Sequence, residues 1–201
     1  LDLLTKNHVY SKEMEHDACG VGVIASTEGK KSREIVEYGI QALKAVWHRG
    51  AVDADGKTGD GAGIHVEIPK DFFIEKIEVT GHDYDNSEIC VGMIFLPRND
   101  YSAQESCKTI VESELTKNNF SIYGWRQVPV NPKILGEKAL RTMPEIIQVL
   151  FRSNDTNLID KNLERKIYET RKKIEKKAFE LSLNDFYICS ISSKSIIYKG
   201  L

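Results

Sequence analysis

Short apolar segments of strand length alternate along this 201-residue chain with segments of helical periodicity. The strand-like segments are residues 64–68, 89–96, 120–130, 146–151, 186–191 and 196–198. The helix-like segments are residues 32–49, 102–115 and 158–181. Several neighbouring strand segments are joined by loops too short for a parallel crossover. The pattern predicts an α+β domain with antiparallel sheets.

The first helical segment has clear signals at both ends. Ser32 is a favourable N-cap residue, and Gly50 is a typical stop. Apolar residues lie between them at intervals of three or four, namely Val36, Ile40, Leu43 and Trp47. Residues 51–63, rich in glycine and aspartate, have no periodicity and predict a loop. Upstream of the helix, the small and apolar run at residues 19–25 has the character of a strand end weakened by two glycines.

Composition excludes several classes of function. Hydrophobic residues make up 41% of the chain and charged residues 29%, with a formal net charge of -2, so no global field favours nucleic acid or a membrane surface. No apolar stretch approaches the roughly 20 residues that a membrane span needs. The four cysteines have no CxxC spacing and the five histidines are scattered, so we expect no metal site and no disulfide framework.

Three clusters carry residues capable of chemistry: HDACGVG at residues 16–22, HRGA at 48–51 and TGDGAG at 58–63. Taken singly, each has an ordinary structural interpretation as a buried cysteine, a helix stop or a turn. The glycine-rich segment lacks the lysine of a P-loop and the GxGxxG spacing of a dinucleotide site. We therefore predict no nucleotide site.

Together, in this order and spacing and followed by DFF at residues 71–73, the clusters resemble the amino-terminal region of the glutamate synthase large subunit. The resemblance extends through the whole chain, including residues 131–151 and the closing SSKSIIYKGL. It implies the first part of a class II glutamine amidotransferase domain with an N-terminal-nucleophile fold, an αββα sandwich. Residues 1–18 would be a leader that is removed, and residues 19–201 would belong to the amidotransferase domain.

The resemblance also implies a mechanism. Cys19, freed at the mature N-terminus, would attack the side-chain amide of L-glutamine, with its own α-amine as the base. Glutamate and ammonia would be released through a thioester. By the same resemblance, the Gly50 backbone would contact the surroundings of Cys19, and Arg49 would support the site structurally or balance its charge. Asp60 and Gly61 would help to shape the glutamine pocket.

For the full-length protein, the resemblance implies a second site in a synthase domain of the same polypeptide. Ammonia would reach it through a tunnel and meet 2-oxoglutarate, and reduction there would use FMN and an iron–sulfur cluster. The electron donor would be a small subunit, a further domain or ferredoxin, and this segment leaves the choice open. We expect no cofactor in the segment itself and no nucleic-acid or membrane partner. We expect a cytoplasmic location, and a plastid is also compatible.

The family's carboxylate-binding arginine and its Asn-Gly oxyanion hole lie in motifs that are not found before Leu201. Because loss of one oxyanion donor typically costs about a hundredfold to a thousandfold in rate, we expect the isolated chain to be inactive as a glutaminase.

Two alternatives to this function remain. One is another N-terminal-cysteine amidotransferase, of the kind that makes phosphoribosylamine, glucosamine phosphate or asparagine. The other is a non-catalytic glutamine-binding or interaction module that has kept the fold and lost its processing.

Overall fold

A computed structural model of the protein describes residues 20–200, and these divide into two compact units, one up to Ala51 and the other from Val52 onward. The helices are α1 (Arg33–Ala45), α2 (Lys70–Val79), α3 (Tyr101–Lys117), α4 (Glu137–Thr142) and α5 (Asp160–Glu180), with 3-10 turns at Trp47–Arg49 and Pro132–Ile134. The strands are β1 (Ala62–Glu67), β2 (Cys90–Leu96), β3 (Phe120–Gln127), β4 (Glu145–Ser153), β5 (Tyr187–Ser192) and β6 (Ser195–Gly200).

In the first unit, helix α1 confirms the predicted start, and it ends at Ala45, about one turn before the predicted end at Arg49. Ser32 is the N-cap, and its Oγ accepts a hydrogen bond from the Ile35 backbone N–H at 3.4 Å. The helix ends at Ala45 and passes through the 3-10 turn to Gly50, the predicted stop. The predicted strand character just after Cys19 is wrong for the described residues, because residues 20–26 contain no strand. The glycines at 20 and 22 and the exposure of this segment account for the difference.

The second unit contains a four-stranded sheet in the order β3-β4-β2-β5, with every neighbouring pair antiparallel. A separate two-stranded sheet is formed by β1 and β6, also antiparallel, with Ala62 opposite Gly200 and Glu67 opposite Ser195. The six predicted strands are all present. The prediction of an α+β architecture with antiparallel sheets is therefore confirmed.

Two apolar cores cover the two faces of the larger sheet. Alternation along β2 divides its side chains, so that Cys90 and Ile94 enter one core and Val91 and Met93 enter the other. Residues of α3 and α5 complete the first core: Cys107, Ile110, Val111, Leu115, Leu163, Ile167 and Ile174. Phe73 and Ile77 of α2 and Ile196 of β6 contribute to the second. The second unit thus stacks a helical layer, the four-stranded sheet, and a layer formed by α2 and the two-stranded sheet.

Helix α2 had no counterpart among the sequence predictions. It follows Pro69 and buries Phe73 and Ile77 completely. Its apolar residues include the adjacent pair Phe72 and Phe73. Adjacent residues lie on different sides of a helix, so this pair obscures the helical periodicity in the sequence. Within the described part of the chain, no helix is both long and apolar enough to cross a membrane.

Candidate functional site

The residues predicted from sequence to act in catalysis are only partly described by the structure. Cys19, the leader at residues 1–18 and the side chain of Arg49 lie outside the described residues. Gly50 follows the 3-10 turn in extended conformation, and its N–H donates to the Trp47 carbonyl at 3.1 Å. A Cβ at Gly50 would approach the Trp47 carbonyl oxygen to 3.5 Å, an ordinary contact. Local crowding within the chain therefore does not require glycine here.

The three described cysteines are unsuited to nucleophilic chemistry. Cys90, Cys107 and Cys189 are all buried in the cores of the second unit. Burial raises the pKa of the Cys107 thiol to about 11, and it also raises the pKa of the Cys90 and Cys189 thiols. Because the thiolate is the attacking species, these residues act as small apolar side chains.

Asp60 and Gly61 lie on an exposed stretch immediately before β1. Gly61 has a φ of 90°, a conformation that favours glycine. At the other end of this stretch, Val52 and Gly59 form an isolated antiparallel bridge. The two predicted pocket residues therefore occupy the short link between a closed loop and a strand.

The loop at residues 52–59 is organised by Asp55, which sequence analysis did not single out. Its Oδ1 accepts hydrogen bonds from the backbone N–H groups of Lys57 and Thr58 at 2.9 and 2.7 Å, and its Oδ2 accepts one from Thr58 Oγ1 at 2.5 Å. Hydrogen bonds to the Thr58 side chain and backbone, with those to Lys57 and Glu137, lower the pKa of Asp55 to about 2. The local signal was the DGKT sequence, in which Gly56 adopts a φ of 68° and lets the chain fold back on the aspartate.

The same loop contacts a segment about 80 residues further along the chain. Lys138 Nζ lies 2.5 Å from Asp53 Oδ2, and this contact lowers the pKa of Asp53. A Cβ added to Gly136 would overlap the Asp55 carboxylate and the Thr58 hydroxyl. No sequence signal connects these positions, because the contact is made by tertiary structure.

A second group of polar residues surrounds a surface cavity of about 570 Å³ between the end of α2 and strands β3 and β4. Tyr123 donates a hydrogen bond to Asp85 at 3.0 Å, and Asp85 also forms an ion pair with Arg152 at 3.2 Å. Burial, with a contribution from Asp85, raises the pKa of Tyr123 to about 12. Of the described site residues, neither Asp60 nor Gly61 lines this cavity. Asp85 and Arg152 are paired with each other, and the lining residues form no recognisable catalytic set.

Among residues 20–200, no three His, Cys, Asp or Glu side chains lie together in a way that could hold a metal ion.

Comparison with known proteins agrees with the resemblance. Residues 19–201 match the class-II glutamine amidotransferases. The glutamate synthase (NADPH) large chain of Azospirillum brasilense is 54% identical over 198 residues, which cover 98% of this chain and 13% of that protein. The ferredoxin-dependent glutamate synthase of Antithamnion sp. is 42% identical over 194 residues, covering 93% of this chain and 12% of that protein. The chloroplastic ferredoxin-dependent glutamate synthase of Spinacia oleracea is 38% identical over 189 residues, which cover 93% of this chain and 12% of that protein.

The chain thus spans about an eighth of the length of these curated relatives. The family match itself covers most of the chain and begins at Cys19. This chain belongs to the class-II glutamine amidotransferases.

Proposed function

We propose that the chain is the amino-terminal part of the glutamine-hydrolysing domain of a glutamate synthase, with residues 1–18 removed to free Cys19. The observation that carries the proposal is the family match from Cys19 onward, joined to 54% identity with a glutamate synthase large chain. The burial of the three described cysteines supports Cys19 as the nucleophile, because none of them offers an accessible thiolate.

The chemistry requires the terminal position of Cys19. A thiol with a pKa near 8.5 is mostly protonated at neutral pH. A free α-amine, with a pKa of about 7.7 to 8.0, takes that proton directly or through a water molecule. An internal Cys19 would have only an amide nitrogen, which is not a base. Cleavage between Ala18 and Cys19 therefore creates the nucleophile and its base in one step.

In the proposed reaction, the Cys19 thiolate attacks the side-chain amide carbon of L-glutamine and forms a tetrahedral oxyanion. The α-ammonium then donates its proton to the amide nitrogen, and the C–N bond breaks so that this nitrogen leaves as ammonia. Water hydrolyses the γ-glutamyl thioester, which releases glutamate and regenerates the thiol. We assign Arg49 and Gly50 to the support of the nucleophile, and Asp60 and Gly61 to the shaping of the glutamine pocket, on the basis of their motifs.

We further propose that the ammonia is consumed in a synthase domain of the same polypeptide, where it is combined with 2-oxoglutarate. That reaction implies FMN and an iron–sulfur cluster. The three described cysteines offer no ligand set for the cluster, because Cys90, Cys107 and Cys189 are buried on separate elements. We assign both groups to other parts of the polypeptide. The relatives are named as NADPH-dependent and ferredoxin-dependent enzymes, so we propose one of these as the electron donor.

We propose a cytoplasmic location, or a plastid location of the kind given in the names of the chloroplastic relatives.

The test is hydrolysis of L-glutamine by the whole natural polypeptide, measured as release of glutamate and ammonia without 2-oxoglutarate. An electrophilic glutamine analogue should form one covalent adduct, at Cys19, and block this release. Release of glutamate that continues after Cys19 has been replaced by alanine would contradict the proposal.

A further inference from the structure

We propose that residues 136–138 latch the loop at residues 52–59, and that this latch positions Asp60 and Gly61 for glutamine binding. The loop latch is defined as Asp53, Asp55 and Thr58 on the loop, with Gly136, Glu137 and Lys138 on the other side. The inference rests on the proposed function for its link to glutamine. The latch itself is a feature of the structure of the second unit.

The loop is closed by hydrogen bonds between its own residues, independently of its contacts with residues 136–138. The Asp53 N–H donates to the Thr58 carbonyl at 2.8 Å, and the Gly56 N–H donates to the Asp53 carbonyl at 2.9 Å. The Asp55 carboxylate accepts three further bonds from Lys57 and Thr58. This small closed turn can therefore be held as one body by a few external contacts.

Three contacts hold the turn from outside. The Glu137 backbone N–H contributes to the lowered pKa of the Asp55 carboxyl, and Lys138 forms an ion pair with Asp53. Gly136 lies so close to Asp55 and Thr58 that a methyl group at its Cα position would overlap both, and the Thr58 backbone nitrogen would lie only 2.8 Å away. Gly136 has a φ of -70°, which any residue adopts. Glycine is therefore required here by close approach and not by backbone conformation.

The latch residues 136–138 lie in a long connection between two neighbouring strands. Strands β3 and β4 are antiparallel neighbours, yet residues 128–144 intervene between them, far more than a hairpin needs. This excursion contains α4 and contacts the loop through the N-terminal end of that helix. A connection of this length without a topological need is typical of a functional loop.

The latch determines where Asp60 and Gly61 lie because both ends of their short link are fixed. On one side, Thr58 is held by Asp55 and Gly59 is bridged to Val52. On the other side, Ala62 begins β1 and pairs with Gly200 of β6. Opening the latch would release the closed loop as one body from residues 136–138, while Ala62 at the other end of the link remains anchored in the sheet.

These contacts predict an effect on substrate binding rather than on chemistry. In the proposed mechanism the base is the α-amine of Cys19, which the latch does not supply. The residues of the latch are therefore positioning residues. Loss of the latch should raise the KM for glutamine and leave kcat nearly unchanged.

The experiment compares Gly136→Ala and Lys138→Met with two matched controls in the whole natural polypeptide. Lys138→Arg keeps a cation opposite Asp53. Lys133→Met removes an ammonium from the same excursion, and the Lys133 side chain has no ion pair within residues 20–200. Amide hydrogen exchange of peptides covering residues 52–61 reports on the latch, and glutaminase kinetics report on its consequence.

We expect Gly136→Ala to accelerate exchange at residues 52–61 and to raise KM about tenfold, with kcat within about twofold, since small misplacements of binding groups carry costs of this order. Lys138→Met should also accelerate exchange and raise KM, by smaller factors. The control variants should change neither the exchange rate nor KM. Unchanged exchange in Gly136→Ala would overturn the latch. Faster exchange with an unchanged KM would overturn its role in positioning. A fall in kcat as large as the rise in KM would overturn it too.

Failure of the proposed function has a different signature. If the unmodified protein hydrolyses no glutamine, that proposal and the link to KM fall together. The exchange measurement still distinguishes a latched loop from an unlatched one, because it requires no substrate.

Discussion

Helices α1 and α5 have similar amphipathic patterns and different surroundings. Helix α5, in the second unit, buries Leu163, Ile167, Thr170, Ile174 and Ala178. Helix α1, in the first unit, has no buried residue over its 13 residues. The segment before α1 shows the same contrast, since Val21 and Val23 are 90% and 87% exposed.

The difference separates two tasks along the chain. The second unit contains the described cores, and hydrophobic burial there supplies most of the folding free energy. The first unit contains the predicted nucleophile and the helix-stop motif, and its described residues show little burial. An apolar period of 3.6 residues therefore predicts a helix and its face, while the burial of that face depends on tertiary structure. Four predictions test whether chemistry and stability are divided in this way.

The largest expected effect is on catalysis. Replacing Cys19 by alanine should lower glutaminase activity of the whole protein by about 10⁴-fold or more, as removal of a nucleophile does in other covalent enzymes. The melting temperature should stay within about 1 °C, because the change removes only the sulfur atom and adds no bulk. Steady-state assays and thermal unfolding check both parts. A mutant that retains a tenth of the activity would break the assignment.

Thiol reactivity should show the same contrast between the units. With its pKa raised to about 11, Cys107 has roughly 300-fold less thiolate at neutral pH than a thiol of pKa 8.5. In the native protein, iodoacetamide at pH 7.5 should modify Cys19 and leave Cys90, Cys107 and Cys189 unmodified, as read by peptide mass spectrometry. Prior unfolding in urea is the control and should expose all four. Native labelling of a buried cysteine at the rate of Cys19 would contradict the description of the cores.

Stability should depend on α5 and hardly on α1. Ile167→Ala removes a completely buried side chain and should lower the free energy of unfolding by about 2–5 kcal/mol. Ile40→Ala makes the same chemical change at a partly exposed position of α1 and should cost less than about 1 kcal/mol. Urea unfolding followed by circular dichroism measures both. Equal losses would show that the two helices are equally buried in solution.

The smallest expected effect is on the titration of Asp55, an acidic residue of the loop latch. The pKa of Asp55 is lowered to about 2 by its hydrogen bonds to Thr58, Lys57 and Glu137. A lowered pKa in the folded state stabilises the folded state fully above the ordinary value of about 3.9, and the contribution is lost as the pH falls towards 2. The Asp55 carboxyl carbon, followed by NMR, should therefore titrate near pH 2. A midpoint near pH 4 would indicate an open loop.

The sequence predicted the parts of the fold whose signals are local. Ser32 and Gly50 bracket α1 as expected, and the apolar run before Pro97 is the buried strand β2. Helix α2 was missed because its adjacent phenylalanines obscure the period. The latch was missed because Asp55 and Gly136 are neighbours only after folding. For the site, Gly50, Asp60 and Gly61 are predicted by motif, while the residues that organise the loop carry no motif.

The central claim is that Cys19 acts with its own α-amine as base. N-terminal sequencing of the natural protein, purified in active form, tests this most directly. The account predicts that the first residue is Cys19, with all residues up to Ala18 removed. An active protein that retains Ala18 attached to Cys19 would contradict it, because an amide nitrogen cannot accept the proton of the thiol.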